Sequence, residues 1–275
     1  MARPLWLVEL IKTTFPGVFT AARLTNAPLL GPALQRWLFE GDDMIYLPRD
    51  RVILVNQPIE SPGGTVLPSQ VVEHFIETAE HHWIMDFCLC RSGGHCKDHP
   101  HDLGCLFLGE ATLEINPRLG RHVSKEAAHE HLRRCRDAGL VHLIGRNKLD
   151  AVWLGVSRGD RLLTICNCCP CCCLWRVLPA IAPAISEGVT KMPGVTVSVS
   201  ERCKVCGTCT QGVCFVDAIN LTEHGAAISD ACRGCGRCVT ACPNEAIDIS
   251  IDVNRAVDAS IERLSSLVDL SAHDR

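Results

Sequence analysis

Cys203-Lys204-Val205-Cys206-Gly207-Thr208-Cys209 with Cys214 after four intervening residues, then Cys232-Arg233-Gly234-Cys235-Gly236-Arg237-Cys238 with Cys242-Pro243 after three, is the stretch that decides how this chain reads. Three cysteines at two-residue intervals followed by a fourth is the ligand spacing of a [4Fe–4S] cluster, and it occurs twice. Gly207, Gly234 and Gly236 permit the tight turns that aim three thiolates at one cluster, while the fourth cysteine of each run reaches the other cluster. The expected ligand sets are Cys203, Cys206, Cys209 and Cys242 for one cluster, and Cys232, Cys235, Cys238 and Cys214 for its partner. Zinc competes for paired Cys-x-x-Cys motifs, but a four-ligand zinc site does not call for three cysteines in one run, twice. Such clusters change by one electron with little rearrangement, so the spacing implies electron transfer and no particular bond-making chemistry.

The two runs also form an internal repeat. Residues 203–209 match 232–238 at an offset of 29, and Asp217-Ala218-Ile219 matches Glu245-Ala246-Ile247 at an offset of 28. On these motifs, residues 195–251 resemble the bacterial two-[4Fe–4S] ferredoxin domain, which implies a ferredoxin-like fold with a pseudo-twofold internal repeat. The first run departs from that pattern in its longer spacing before Cys214 and in Phe215, which stands where proline is usual. One added residue fits in a loop, and it is expected to change amide hydrogen bonding to sulfur and so the potential of the cluster that Cys214 serves.

Around this stretch, the chain of 275 residues is long enough for two domains. A formal net charge of -4 excludes the basic surface of a nucleic-acid binder, and one Tyr with seven Phe offers no platform for stacking bases. Nineteen cysteines without a secretory signal read as metal thiolates in a reducing cytoplasm, and exposed clusters of this kind suit an anaerobic source. No apolar run has the length of a membrane span. Residues 5–11 have the pattern of an amphipathic helix; packing on the body is favoured over peripheral membrane contact because basic residues are few.

Upstream, periodicity predicts a helix over 69–85, with Val71, Val72, Phe75, Ile76 and Ala79 on one face, and a second over 125–138, begun by Ser124 and stopped by Gly139. Residues 51–55, 140–144, 151–156 and 161–165 read as strands, Gly63-Gly64 as a turn, and 183–193 as the connection to the C-terminal module. The fold class is therefore α+β: a cysteine-rich α+β body over 1–190, the two-cluster domain over 195–251 and a C-terminal helical tail over 252–275.

Eleven cysteines lie outside the cluster runs. Cys88, Cys90, Cys96 and Cys105 form one group, with His95, His99 and His101 as further ligand candidates. Cys166, Cys168, Cys169, Cys171, Cys172 and Cys173 form another, at the end of a predicted strand. Six thiols in eight residues cannot all serve one four-ligand centre, because successive side chains of an extended segment point to opposite faces. A subset joined across the two groups is expected to bind a third iron–sulfur cluster or zinc, or to act as a thiol redox site. Cys135 is expected in the core, and His81, His82, His129 and His131 in solvent. With Cys88-x-Cys90-Arg91 and Cys166-Asn-Cys-Cys-x-Cys-Cys-Cys173 ahead of the cluster runs, the whole chain resembles a family of anaerobe iron–sulfur proteins. That resemblance pairs the two upstream motifs as one feature and implies no particular reaction. The expected function is an electron-transfer protein or redox subunit acting with a redox partner protein. The alternatives are an iron–sulfur oxidoreductase whose centre is the upstream cysteines, and a metal or cluster binding or sensing protein. Neither a dinucleotide fingerprint nor a P-loop is present to support a self-contained dehydrogenase or nucleotide hydrolase.

Overall fold

The computed structural model describes residues 3–50 and 68–270 and shows an α+β fold built on a seven-stranded sheet. Its strands are β1 (Asp43–Tyr46), β2 (His82–Met85), β3 (Leu106–Leu108), β4 (Gly120–His122), β5 (Val141–Arg146), β6 (Leu163–Cys168) and β7 (Val189–Lys191), in the order β4-β2-β3-β6-β5-β1-β7. Every neighbouring pair is antiparallel except β1 with β7. The strands are short and their central members are buried on both faces, so they read as apolar runs rather than as an alternation.

The period of two divides the core into two sides. Ile45, Ile84, Leu106, Leu108, Ile144, Leu163 and Ile165 face one side, beneath α4 (Ser69–Thr78), α6 (Lys125–Asp137) and α10 (Val253–Ser265). Met44, Tyr46, Val141, Leu143 and Cys168 face the other side, and Trp83, Met85 and Phe107 do so further along the sheet. That second side receives α1 (Leu5–Thr14), α2 (Val18–Ala21), α3 (Leu30–Leu38), α5 (Leu89–Gly93) and α7 (Lys148–Leu154) together with the cysteine-bearing turns. In α1, Val8 is buried, with Leu5 and Ile11 packed beside it, so this helix lies on the body. Among the described residues no helix is long and apolar enough to cross a membrane.

Several sequence expectations are corrected. The helix expected over 69–85 ends at Thr78, and His82–Met85 is a strand between β3 and β4. The strand expected over 151–156 is instead α7, closed by Gly155 in the left-handed conformation. Both are short apolar runs that periodicity alone cannot assign. The 183–193 connection holds a short helix, α8 (Pro183–Ser186), and the edge strand β7. The helix over 125–138 runs Lys125–Asp137, with the Ser124 hydroxyl accepting from Ala127 N at 3.3 Å and Gly139 at φ 75°. The expectations for 51–55 and for Gly63-Gly64 fall outside the described residues.

Beyond β7, β8 (Thr196–Val199) pairs with β11 (Ile247–Ser250), and β9 (Ile219–Thr222) with β10 (Gly225–Ile228); α9 (Arg237–Ala241) lies within the second cysteine run. The chain then returns to the body. Leu264 of α10 is fully buried beside α4, and Arg263 Nε donates to Asp43 Oδ2 at 2.9 Å.

At the start of β1, Asp42 Oδ1 accepts from Lys148 N at 2.6 Å, while Oδ2 is buried without a partner. Burial, and then the nearby Asp150 carboxylate, push the Asp42 carboxyl up to about 7. The folded state therefore holds a proton that the unfolded chain has released, and stability falls as pH rises from about 4 to about 7. Asp42→Asn keeps the acceptor and removes the titration. It is expected to be the more stable form at pH 8, by roughly 2–4 kcal/mol, with no advantage at pH 4. Urea unfolding at the two pH values tests this, and an equal difference at both would refute it.

Candidate functional site

In the 203–242 segment the backbone repeats as the cysteines do. Val205, Gly207 and Asp217 lie in the left-handed region at φ 55°, 75° and 51°, and Gly234, Gly236 and Glu245 at φ 63°, 81° and 48°. A β-branched residue such as Val205 adopts that conformation only where its surroundings impose it, and such strain marks turns that aim side chains. Amide hydrogen bonds to sulfur repeat as well: Ala218 N donates to Cys214 Sγ and Ala246 N to Cys242 Sγ, each at 3.3 Å. Gly234 N donates to Cys232 Sγ at 3.4 Å.

The thiols that raise Cys209 by their charge are Cys242, Cys203 and Cys206; those that raise Cys238 are Cys235, Cys232 and Cys214. For both, burial is the larger cause, and it takes Cys238 up to about 12. Metal binding there displaces protons. Cys206 is exposed, whereas Cys214, Cys232 and Cys235 pack against the same core as Cys168 and Cys173 of the body.

The upstream cysteines separate into two groups, and the sheet explains the division. Cys166 and Cys168 lie on one face of β6, and Cys105, next to β3, meets Cys166 across the β3–β6 pair at Sγ–Sγ 4.0 Å. With Cys88, Cys90 and Cys173 they line a cavity of about 70 Å³, walled by Phe15, Trp153 and Trp175. The thiol of Cys90, helped by the Arg91 guanidinium, draws Cys88 down to about 7. Cys166 and Cys173, with Arg237 and Tyr46, hold Cys168 well below the usual thiol range, while Cys90, Cys166 and Cys173 are pushed well above it. Thiols packed this closely ionise in turn, one giving up its proton while its neighbours keep theirs.

Cys169 starts the turn after β6; it borders the same cavity and also meets a second set of thiols. Its Sγ and those of Cys96, Cys171 and Cys172 all lie within 4.8 Å of one another, with Cys96 and Cys171 at 3.3 Å. Cys135 belongs to neither group: it is fully buried, with His131 Nε2 at 3.7 Å, as core packing predicts.

Two buried guanidinium groups flank these sulfurs. Arg91, with no exposed surface, donates from Nη1 to Asn167 O and from Nε to Pro100 O, both at 2.7 Å, and from Nη2 to Leu103 O. Arg237 donates from Nη2 to Cys168 O and lies 5.7 Å from the centre of the Phe215 ring. Among the described residues no carboxylate forms an ion pair with either one. A buried cation without a carboxylate rests here on backbone carbonyls, and thiolate charge on the neighbouring cysteines would stabilise it further.

Residues 227–248 match the 4Fe–4S binding domain family. The chain thus carries a ferredoxin-type segment, and the thiols within it, Cys232, Cys235, Cys238 and Cys242, fit at least one [4Fe–4S] cluster. No curated protein and no solved structure matches the chain.

The segment 203–242 touches the cavity group through residues that the motifs alone did not single out for this. Phe215, beside Cys214, lies 4.9 Å from the Tyr46 ring, and the Tyr46 hydroxyl lies 3.8 Å from Cys168 Sγ. The sequence signal was Phe215 standing at the proline position. The histidines differ from expectation. His82 and His131 are buried, each donating from Nε2, to Ile76 O and Gly104 O, because β2 is a strand and α6 packs over the sheet. His99 and His101 each engage a backbone carbonyl, of Ala138 and of Cys96, through one ring nitrogen.

Proposed function

We propose that this chain is an iron–sulfur electron-transfer protein of the reducing, anaerobic cytoplasm. In this reading two [4Fe–4S] clusters, one on Cys203, Cys206, Cys209 and Cys242 and the other on Cys232, Cys235, Cys238 and Cys214, form a pseudo-twofold domain over 195–251. They connect a redox partner protein to a third iron–sulfur centre in the 1–190 body, held by a subset of Cys88, Cys90, Cys105, Cys166, Cys168 and Cys173 around the cavity. The contact chain Cys214–Phe215–Tyr46–Cys168 carries this reading, because it joins a cluster ligand to the cavity group through packed aromatic rings. Exposed Cys206 marks the end where a partner protein docks, and buried Cys168 the end where electrons arrive.

Two clusters alone account for about 8 iron and 8 sulfide per chain, and a third cube raises both to about 12. Iron and sulfide analysis of anaerobically purified protein, with electron paramagnetic resonance during a redox titration, is expected to give the higher figure and a third signal. About 8 iron with two signals would sink the body centre. The apolar-walled cavity also favours a second reading, an oxidoreductase whose body cluster leaves one position open to a small substrate. A change in the third signal on adding substrate separates the enzyme from the relay.

A further inference from the structure

We propose that Cys96, Cys169, Cys171 and Cys172 hold one tetrahedral zinc ion, separate from every iron–sulfur centre of the chain. Spacing is the first argument. In a cube each thiolate binds a different iron, so the four thiolates stand well apart; around a single ion all four bind one atom. With Zn–S near 2.3 Å, the sulfur atoms of a tetrahedral site lie about 3.8 Å from one another. These four lie within 4.8 Å of each other, and among the described residues no other three or more ligand atoms are as close, including the eight thiols of the 203–242 segment.

The second argument is the backbone around them. Cys172 N donates to Cys169 Sγ at 3.3 Å, and the Asp98 and His99 amides donate to Cys96 Sγ. Such N–H···S bonds orient and stabilise metal-bound thiolates. Charge is the third. Zinc with four thiolates carries two negative charges, and the Arg91 guanidinium is buried beside Cys169 without a carboxylate partner. When zinc enters four protonated thiols, four Zn–S bonds form and four protons leave to solvent; no electron moves.

Four protein ligands leave no open position, which makes the ion structural. Its effect is positional. Cys96 follows α5, whose segment supplies Cys88 and Cys90 to the cavity, and Cys169 to Cys172 follow β6, which supplies Cys166 and Cys168. The zinc thereby fastens the two loops that carry the cavity thiols, although it contributes no ligand to that centre.

The test uses the full chain purified anaerobically. Metal analysis is expected to find about one zinc per chain, and X-ray absorption at the zinc edge a shell of four sulfurs at about 2.3 Å. A Cys171→Ser/Cys172→Ser variant is expected to lose the zinc and keep the paramagnetic signals of the 203–242 clusters. Zinc retained in that variant, zinc bound by nitrogen or oxygen, or zinc absent while the variant loses about four iron would each overturn the proposal. The wild-type absorption shell decides the matter if the variant does not fold. Iron and sulfide content of the wild-type protein tests the electron-transfer reading separately, so either idea can fail alone.

Discussion

Cys238→Ala is expected to remove about four iron and four sulfide per chain while the cluster on Cys203, Cys206, Cys209 and Cys242 persists. Cys238 is buried, its thiol neighbours are Cys235, Cys232 and Cys214, and alanine offers no replacement ligand. The partners of each site give the prediction its sharper form. If ligands cross between the runs, Cys214→Ala should lose the same signal as Cys238→Ala, and Cys242→Ala the same signal as Cys203→Ala. Redox titration with paramagnetic resonance identifies which signal goes. Cys214→Ala removing the signal that Cys203→Ala removes would show that the runs do not cross. Because Cys214, Cys232 and Cys235 pack against the body core, loss of a cluster there should also lower the unfolding temperature, metal binding being folding free energy. Electron delivery to the body centre should cease, while reduction of the exposed cluster by an external donor continues.

What the sequence made legible follows the range of the interactions concerned. The repeated turns of 203–242 were readable because their geometry is local: two-residue spacings, glycines at Gly207, Gly234 and Gly236, and a repeat within thirty residues. The upstream groups were readable only as a list, because their partition depends on strand pairing. Cys105 meets Cys166 since β3 lies beside β6, and Cys96 reaches Cys171 across a separation of 75 residues. One sequence argument did anticipate part of the partition. The alternation of side chains puts Cys166 and Cys168 on one face of β6, whereas Cys169, past the strand's end, borders the cavity and also joins Cys96, Cys171 and Cys172.

Short apolar runs defeated periodicity in both directions, giving a strand at His82–Met85 and a helix at Lys148–Leu154. His82 and His131 looked solvated for a related reason: a helix face says nothing about the layer that covers it until the topology is known. Arg91 was visible as part of Cys88-x-Cys90-Arg91, but its three carbonyl acceptors come from residues 100, 103 and 167 and could not be read from the motif.

Those acceptors set the size of the second large effect. Arg91→Met fits a similar volume but leaves the carbonyls of Pro100, Leu103 and Asn167 buried without their donor, and it removes the cation beside Cys88, Cys169 and Cys105. Breaking a buried charge arrangement by removing one partner costs about 3–5 kcal/mol, because the remaining charge is left uncompensated. Here that remaining charge is the thiolate array, so the variant is expected to lose body metal as well as stability. The thiols of 203–242 have Arg237 and their own amide donors, so the signals of the proposed clusters there should survive. Arg91→Lys keeps the charge but not the planar fork that reaches three carbonyls at once, and it should recover only part of the loss. Anaerobic denaturant unfolding and metal analysis of the three proteins provide the measurement. A methionine variant with wild-type stability and metal content would mean that the body thiols do not depend on the Arg91 charge.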